Sequence, residues 1–123
     1  MKSEMSFRHD LNEDFFGVKE MCQMTGATKK DLYTYDHVGL LKPVLRLGPQ
    51  CHKLYSQNEL DKLCIIQKYR NAGLLLAEIQ ACMNCSECDR RQFLYNVLKR
   101  QRNEKIQKEH QIQHLLDLIN ELP

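Results

Sequence analysis

The stretch KKDLYTYDHVGLLKP, residues 29–43, decides the fold because it joins a short amphipathic helix to an abrupt stop. Leu32 and Tyr35 lie three residues apart, so both fall on one face of a helix over Lys29–His37. Lysines, a threonine and a second tyrosine occupy much of the remaining surface. Gly39 ends the helix because glycine readily adopts the left-handed conformation that a helix stop needs, and the chain then runs extended to Pro43.

A second helix is predicted just upstream. From Phe16 apolar residues recur at spacings of three and four, at Val18, Met21, Cys22 and Met24. Gly26 ends this helix, and the hydroxyl of Thr28 can cap the next one by accepting a hydrogen bond from an exposed backbone N–H. A helix, a tight turn with glycine and a helix with a polar outer face are typical of a helix-turn-helix.

Downstream, residues 44–55 form two short extended segments around Gly48-Pro49, which is a turn signal. A hairpin that follows a helix-turn-helix is a wing. Ser56 caps the next helix, Gly73 ends it, and a short apolar helix is predicted over residues 74–83. The predicted core consists of Val18, Met21, Met24, Leu32, Leu40, Leu63, Ile66, Leu74 and Ile79.

The last segment, residues 89–121, contains neither glycine nor proline and predicts one long helix. Residues spaced by seven along this helix form a seam that is apolar at both ends and polar in the middle. So long a helix cannot bury its stripe against so small a domain, so we expect it to pair with a second copy of the chain. Antiparallel and parallel pairing both match the ends. The predicted dimerisation residues are Leu94, Leu98, Ile112, Leu115 and Ile119.

Composition and charge narrow the class of protein. A chain of 123 residues is one domain with an appendage, and no apolar run or signal peptide points to a membrane, so a cytoplasmic protein is expected. Net charge is only +2, but residues 28–70 hold eight Lys or Arg against four Asp or Glu. A basic middle of this kind suggests a surface that meets phosphate.

Residues 1–14 have mixed charge and no apolar period, so this segment is predicted to be a disordered tail. No catalytic set is recognisable, so we expect no enzyme.

These residues resemble the MerR (mercury-resistance regulator) family of transcription factors. The resemblance rests on GVKEMCQMTGATKKDLYTYDHVGLLKP, KLYSQNELDKL and RNAGLLLAEI, in that order, and extends over residues 16–122. The family pattern is close to T-G-[VA]-[ST]-x-x-[TA]-[LI]-R-Y-Y-[ED]-x-x-G-L-L-x-P. Two departures stand out. The usual R-Y-Y is Tyr33-Thr34-Tyr35, and the usual wing N-G-Y-R-x-Y is residues 50–55, QCHKLY.

The resemblance implies a mainly α fold in three parts. Residues 1–14 are the tail, residues 15–88 a winged helix-turn-helix DNA-binding head, and residues 89–123 a dimerisation helix in an antiparallel coiled coil. It also implies a homodimer on an inverted-repeat promoter operator, a duplex deformed by the protein, and RNA polymerase at the promoter as a further partner. We expect base-edge or phosphate contacts from the recognition helix and a backbone clamp from the wing. The predicted DNA-binding residues are Thr28, Lys29, Lys30, Tyr33, Thr34, Tyr35, Arg46, His52, Lys53, Tyr55 and Arg70. For Tyr35 and Tyr55, packing in the core is an equal alternative.

Two other hypotheses stay open. The six cysteines are expected to be reduced thiols. Cys82, Cys85 and Cys88 could hold a soft metal ion or sense the redox state. Buried or incidental thiols are the preferred interpretation, and no cofactor is predicted. His110 and His114 are also four residues apart, but a solvated helix face explains them better. Alternatively, the departures at residues 33–34 and 51–52 mark a coiled-coil interaction module that no longer binds DNA.

Overall fold

The computed structural model describes residues 14–123 and is mainly helical over that range. In chain order the elements are β1 (Phe16–Gly17), α1 (Val18–Thr25), α2 (Lys29–His37), β2 (Leu45–Leu47), β3 (His52–Tyr55), α3 (Gln57–Asn71), α4 (Leu76–Asn84) and α5 (Glu87–Asn120). This order confirms the predicted fold class, a winged helix-turn-helix followed by a long helix. Apart from Asp14, the predicted disordered tail lies outside the described residues.

The chain divides into two compact units, one that ends at Ile79 and one formed by Gln80–Pro123. The division of function between a DNA-binding head, residues 15–88, and a dimerisation helix, residues 89–123, stays a prediction.

The turn between α1 and α2 depends on local hydrogen bonds. Gly26 follows α1 with φ of 81°, and its N–H donates to the carbonyl oxygen of Cys22 at 2.9 Å. At the start of α2, Thr28 and Asp31 cap each other. The Asp31 N–H donates to the Thr28 hydroxyl oxygen at 3.0 Å, and the Thr28 N–H donates to the Asp31 carboxylate at 3.0 Å. This reciprocal pair satisfies donors that the first helical turn otherwise leaves free.

A three-stranded antiparallel sheet forms the wing and anchors it to the rest of the unit. The strand order is β1-β3-β2, so the central strand is β3. The prediction that α1 begins at Phe16 is wrong by two residues, because Phe16 pairs with Tyr55 and Gly17 pairs with Leu54. The turn between β2 and β3 has positive φ at Gly48 (75°) and at the non-glycine residue Cys51 (53°).

The core of this unit lies where α1, α2, α3 and the sheet meet. Met21, Leu63 and Ile66 are completely buried, as predicted. Met24 is 48% exposed, so its assignment to the core is wrong. The half-buried residue next to it, Thr25, instead donates its hydroxyl hydrogen to the carbonyl oxygen of Met21 at 2.7 Å. Other buried apolar residues of the unit are Phe15, Ala27, Leu32, Tyr35, Leu40, Leu41, Leu54, Tyr55, Leu74 and Ile79.

The second unit contains the predicted long helix, α5, which spans 34 residues. Ser86 caps it by accepting a hydrogen bond from the Asp89 N–H at 3.2 Å. The guanidinium of Arg90 donates to the carbonyl oxygens of Cys82 at 2.8 Å and Cys85 at 3.2 Å, so it satisfies carbonyl groups where α4 ends. Within residues 14–123, no helix combines the length and the apolar character needed to cross a membrane.

The cap at the start of α2 gives a first prediction. Thr28→Ala removes the hydroxyl that accepts the Asp31 N–H, and should lower the free energy of unfolding by about 1 kcal/mol. Thr28→Ser keeps the hydroxyl and should stay close to the parent protein. Urea denaturation at one fixed protein concentration measures both. Equal stability of the alanine and serine variants would show that the cap does not stabilise α2.

Candidate nucleic-acid interface

The outer face of α2 is available to a partner. Lys29, Lys30 and Tyr33 are exposed and Thr34 is half-buried. The opposite face is buried, with Leu32 only 2% exposed. The apolar spacing of the sequence therefore places the cationic residues outward, as an amphipathic helix requires.

A single carboxylate joins α2 to the wing. Asp36, in the last turn of α2, is only 8% exposed and contacts three cations. Its Oδ1 accepts a hydrogen bond from Arg46 Nη2 at 2.8 Å and lies 3.4 Å from Lys42 Nζ, while its Oδ2 lies 3.1 Å from Lys53 Nζ. Lys42 Nζ also donates to the Asp36 carbonyl oxygen at 3.0 Å. We call these four residues the Asp36 cluster.

The charge of the Asp36 cluster is strongly positive. The hydrogen bond from Arg46 holds the pKa of the Asp36 carboxyl far below its usual range, and those from Lys53 and Lys42 act in the same direction against the opposing effect of burial. Asp36 is therefore ionised throughout the physiological pH range. One negative charge among three positive charges leaves an excess of two positive charges at the base of the wing.

The predicted contacts omitted Asp36 and Lys42, although the sequence carries a signal for them. Asp36 lies four residues after Leu32 and next to Tyr35, which puts a carboxylate on the buried face of the helix. A carboxylate in such a position needs cationic or hydrogen-bonding partners. Which lysines and arginines supply them depends on how the hairpin folds back.

Lys53 also contacts α2 through an aromatic ring. Its Nζ lies 5.6 Å from the centroid of the Tyr33 ring, a cation–π arrangement. The Tyr33 ring in turn stacks on His37, with centroids 6.2 Å apart and planes within 8°. Because Tyr33 is 64% exposed, this pair lies at the surface of the unit, and His52 is exposed at the start of β3 beside Lys53.

Arg70, the predicted DNA contact from α3, is bound to α2. Its Nη1 forms an ion pair with Asp31 Oδ2, and the Arg70 side chain remains 48% exposed. Burial alone would raise the pKa of Asp31, but the hydrogen bond from the Thr28 N–H and the pair with Arg70 hold it below its usual value. Arg70 therefore stabilises the first turn of α2 and still presents part of its guanidinium to solvent.

The structure places Tyr35 and Tyr55 in the core, the alternative that the sequence left open. Tyr35 is 4% exposed, and its hydroxyl donates to Gln67 Oε1 at 3.3 Å. Tyr55 is completely buried, and its hydroxyl has no hydrogen-bond partner within residues 14–123. Burial raises the pKa of Tyr55 to about 12. Neither ring belongs to the exposed surface that a phosphate could approach in this conformation.

In the second unit, the predicted dimerisation residues lie along α5. Leu94 is half-buried, and the exposure of the others rises from 38% at Leu98 to 60% at Ile119. Other large hydrophobic residues are exposed on the same helix, among them Ile106, Leu116 and Leu118.

The three clustered cysteines differ in accessibility. Cys82 is completely buried and Cys88 is exposed, while the half-buried Cys85 directs its thiol to the carbonyl oxygen of Cys82, with the sulfur at 3.6 Å. Across the described part of the chain, no group of three or more Cys, His, Asp or Glu side chains is arranged to hold a metal ion.

Comparison with known proteins identifies the family. A family model described as "MerR HTH family regulatory protein" matches residues 16–85, more than half of the chain. The chain belongs to the MerR family of helix-turn-helix regulatory proteins. The resemblance recognised in the sequence is thus confirmed.

Individual MerR-family members share both sequence and structure with the chain. It is 34% identical over 79 residues to the HTH-type transcriptional activators TipA of Streptomyces coelicolor and Streptomyces lividans, and the match covers 64% of this chain but only 31% of TipA. A MerR-family transcriptional regulator from Bacillus cereus superimposes with a TM-score of 0.62 at 26% identity, covering 88% of this chain and 79% of that one. The N-terminal part of MtaN, a multidrug transporter activator of Bacillus subtilis, gives 0.61 at 25% identity, covering 85% and 94%. These proteins are regulators and not enzymes, in agreement with the sequence-based prediction.

One departure from the MerR pattern has a structural counterpart. Tyr33 occupies the position of the arginine in the helix-turn-helix pattern, so α2 has no fixed charge there. The ammonium group of Lys53 lies over that ring and is bound to Asp36 at the same time. A cation from the wing therefore lies next to the position where the helix itself lacks one.

The Asp36 cluster gives a second prediction. Asp36→Asn should lower the free energy of unfolding at neutral pH by about 1–3 kcal/mol, less than for a fully buried pair because Lys42 and Arg46 are partly exposed to solvent. The pKa of the Asp36 carboxyl is lower in the folded chain than in the unfolded chain. The ionised carboxylate therefore stabilises the fold fully above the pKa of an unfolded aspartate, and this stabilisation is lost as the pH falls toward the lower folded pKa. The difference between parent and variant should therefore shrink in strong acid.

Urea denaturation at neutral and acidic pH measures this difference. Asp61→Asn, on the exposed surface of α3, is the matched control and should change stability little. A difference between parent and Asp36→Asn that does not depend on pH would contradict the assigned role of the carboxylate.

Proposed function

We propose that this MerR-family chain is a cytoplasmic transcriptional regulator that binds an inverted-repeat operator as a homodimer. The observation that supports the proposal best is the Asp36 cluster, which holds the cations of the wing against the exposed recognition helix. Two surfaces that meet DNA in winged helix-turn-helix proteins are thereby joined into one positively charged surface.

The exposed fractions of the side chains suggest different roles within this surface. Lys42 is 60% exposed and Arg46 is 44% exposed, so both can contact phosphate oxygens while they remain close to Asp36. Lys53, at 22%, is more enclosed and chiefly holds the wing against Tyr33. Lys29, Lys30 and Thr34, by contrast, are candidates to contact base edges or phosphate oxygens in the major groove.

The homodimer is supported by the exposed apolar residues of α5. Leu115 and Ile119 are 59% and 60% exposed in the single chain, which is costly for a helix with no partner. Pairing with a second copy, in the antiparallel direction that the family suggests, would cover them. A two-fold symmetric dimer requires an operator made of two inverted half-sites. RNA polymerase at a deformed promoter is the expected further partner.

Selection of bound genomic fragments by the purified protein, at two salt concentrations, tests the whole proposal. Enrichment of an inverted repeat, with affinity that falls steeply as salt rises, is expected because phosphate contacts release counterions. A dimer that enriches no sequence and binds no duplex would contradict the proposal and favour an interaction module.

The recognition helix gives a third prediction. Lys29→Ala with Lys30→Ala should weaken binding to the selected operator by about 30-fold or more, because each lost base contact costs about 1–3 kcal/mol. The matched control removes two positive charges from exposed positions of α5, Lys99→Ala with Arg102→Ala. Fluorescence anisotropy on a labelled operator measures both variants. Equal losses in the two would mean that net charge alone, and not this helix, directs binding.

The long helix gives a fourth prediction. Leu115→Asp with Ile119→Asp places two carboxylates in the apolar end of the seam, and should convert the dimer to a monomer at micromolar concentration. His110→Asp, which adds one carboxylate on the solvated face of the same helix, should leave the dimer intact. Analytical ultracentrifugation distinguishes the two states. A dimer that persists in the double variant would place the interface elsewhere.

A further inference from the structure

A groove on the first unit lies between the start of α1, the start of α2 and the wing. Its volume is about 490 Å³. Three lysines from three separate elements line it, Lys19 from α1, Lys29 from α2 and Lys53 from β3, together with His52. Apolar residues, among them Val18 and Leu54, form the remaining walls. We call this feature the lysine groove. The sequence-based prediction did not include Lys19.

The charges around the lysine groove are poorly balanced. Its lining contains no Asp or Glu. Lys53 is paired with Asp36 at 3.1 Å, but neither Lys19 nor Lys29 forms an ion pair within residues 14–123. The carboxylate of Glu20, next to Lys19 in the chain, accepts a hydrogen bond from the Gly17 N–H at 2.9 Å. Two lysines that form no ion pair with the described residues therefore line one groove, and uncompensated positive charge of this kind favours a bound anion.

The walls of the groove are mainly apolar, and its charged groups are the ammonium ends of the lysines that line it. Lysine stems can cover apolar surface while their ammonium groups stay at the rim, where each offers three N–H donors. A tetrahedral phosphate offers several acceptor oxygens to donors that approach from different directions. Lys19 and Lys29 line the groove from two separate elements and can offer such donors, while the ammonium group of Lys53 is already bound to Asp36.

The place of the groove in the fold indicates the source of the phosphate. Lys29 is the first residue of α2, the helix proposed to enter the major groove, and the opposite wall is formed by the wing. DNA strands that border the major groove pass on either side of an inserted recognition helix. We propose, on the basis of the function proposed above, that the lysine groove binds one backbone phosphate of the DNA duplex and that Lys19 is a phosphate contact.

The test uses Lys19→Ala in the full chain, with the slope of log affinity against log salt as its readout. Each phosphate contact contributes about 0.9 to that slope. Between about 50 and about 200 mM salt, the parent should therefore lose about 3.5-fold more affinity than the variant. The effect should be equal for the operator and for an unrelated duplex, because a phosphate contact carries no sequence information. Lys19→Arg should restore the slope.

Lys99→Ala, which removes one charge from an exposed position of α5, is the control for net charge. A slope for Lys19→Ala equal to that of Lys99→Ala would overturn the inference. If the parent binds duplex with a steep salt dependence in the same experiment, the proposed function survives that result. A parent that binds no duplex would instead reject the proposed function itself.

Inorganic phosphate distinguishes the duplex backbone from a free anion. Titration of the parent with phosphate at constant ionic strength, without DNA, should show no binding at millimolar concentration, because one phosphate ion lacks the contacts that the rest of the duplex supplies. Binding of inorganic phosphate that Lys19→Ala abolishes, with an unchanged salt slope for DNA, would overturn the assignment to duplex in favour of a free-anion site.

Discussion

The arrangement of the positively charged surface formed by α2 and the wing depends on one buried carboxylate. Asp36 contacts cations from the segment after α2 and from strands β2 and β3, so a single side chain fixes the distance between the helix and the hairpin. The attraction is strong because Asp36 is enclosed, and it leaves the cations available because two of them remain substantially exposed. The same ion pairs thus position the wing and keep positive charge at the surface. In most surface ion pairs, by contrast, each partner neutralises the other and little field remains.

Sequence patterns predicted the backbone closely. Gly26, Gly39 and Gly48 all have positive φ, at the turns where glycine was expected, and α2 covers the predicted residues. The long helix followed from the absence of glycine and proline over more than thirty residues. Such features depend on local conformational preference, which a single sequence carries.

Contacts between distant residues were harder to predict. The pairing of Phe16 with Tyr55 joins residues far apart in the chain. A strand of two residues is also too short to show the alternation of apolar and polar residues by which strands are predicted. The same holds for the groove that brings Lys19 to Lys29 and Lys53. The role of tyrosines such as Tyr55 was ambiguous, because an aromatic ring with a hydroxyl can pack in a core or contact a phosphate. Only the burial in the folded chain separates the two, and the proposed dimer seam of α5 would involve a second chain.

The strand order β1-β3-β2 has a consequence for how such a surface can diversify. The strands of the wing carry Arg46 and Lys53 and are held by the sheet and by Asp36, whereas the turn at residues 48–51 lies outside the paired registers. Substitutions or insertions in that turn can therefore alter what the tip of the wing touches without displacing the cations behind it. The positive charge behind the wing and the side chains at its tip therefore belong to separate residues, so evolution can change the tip while conserving the charge.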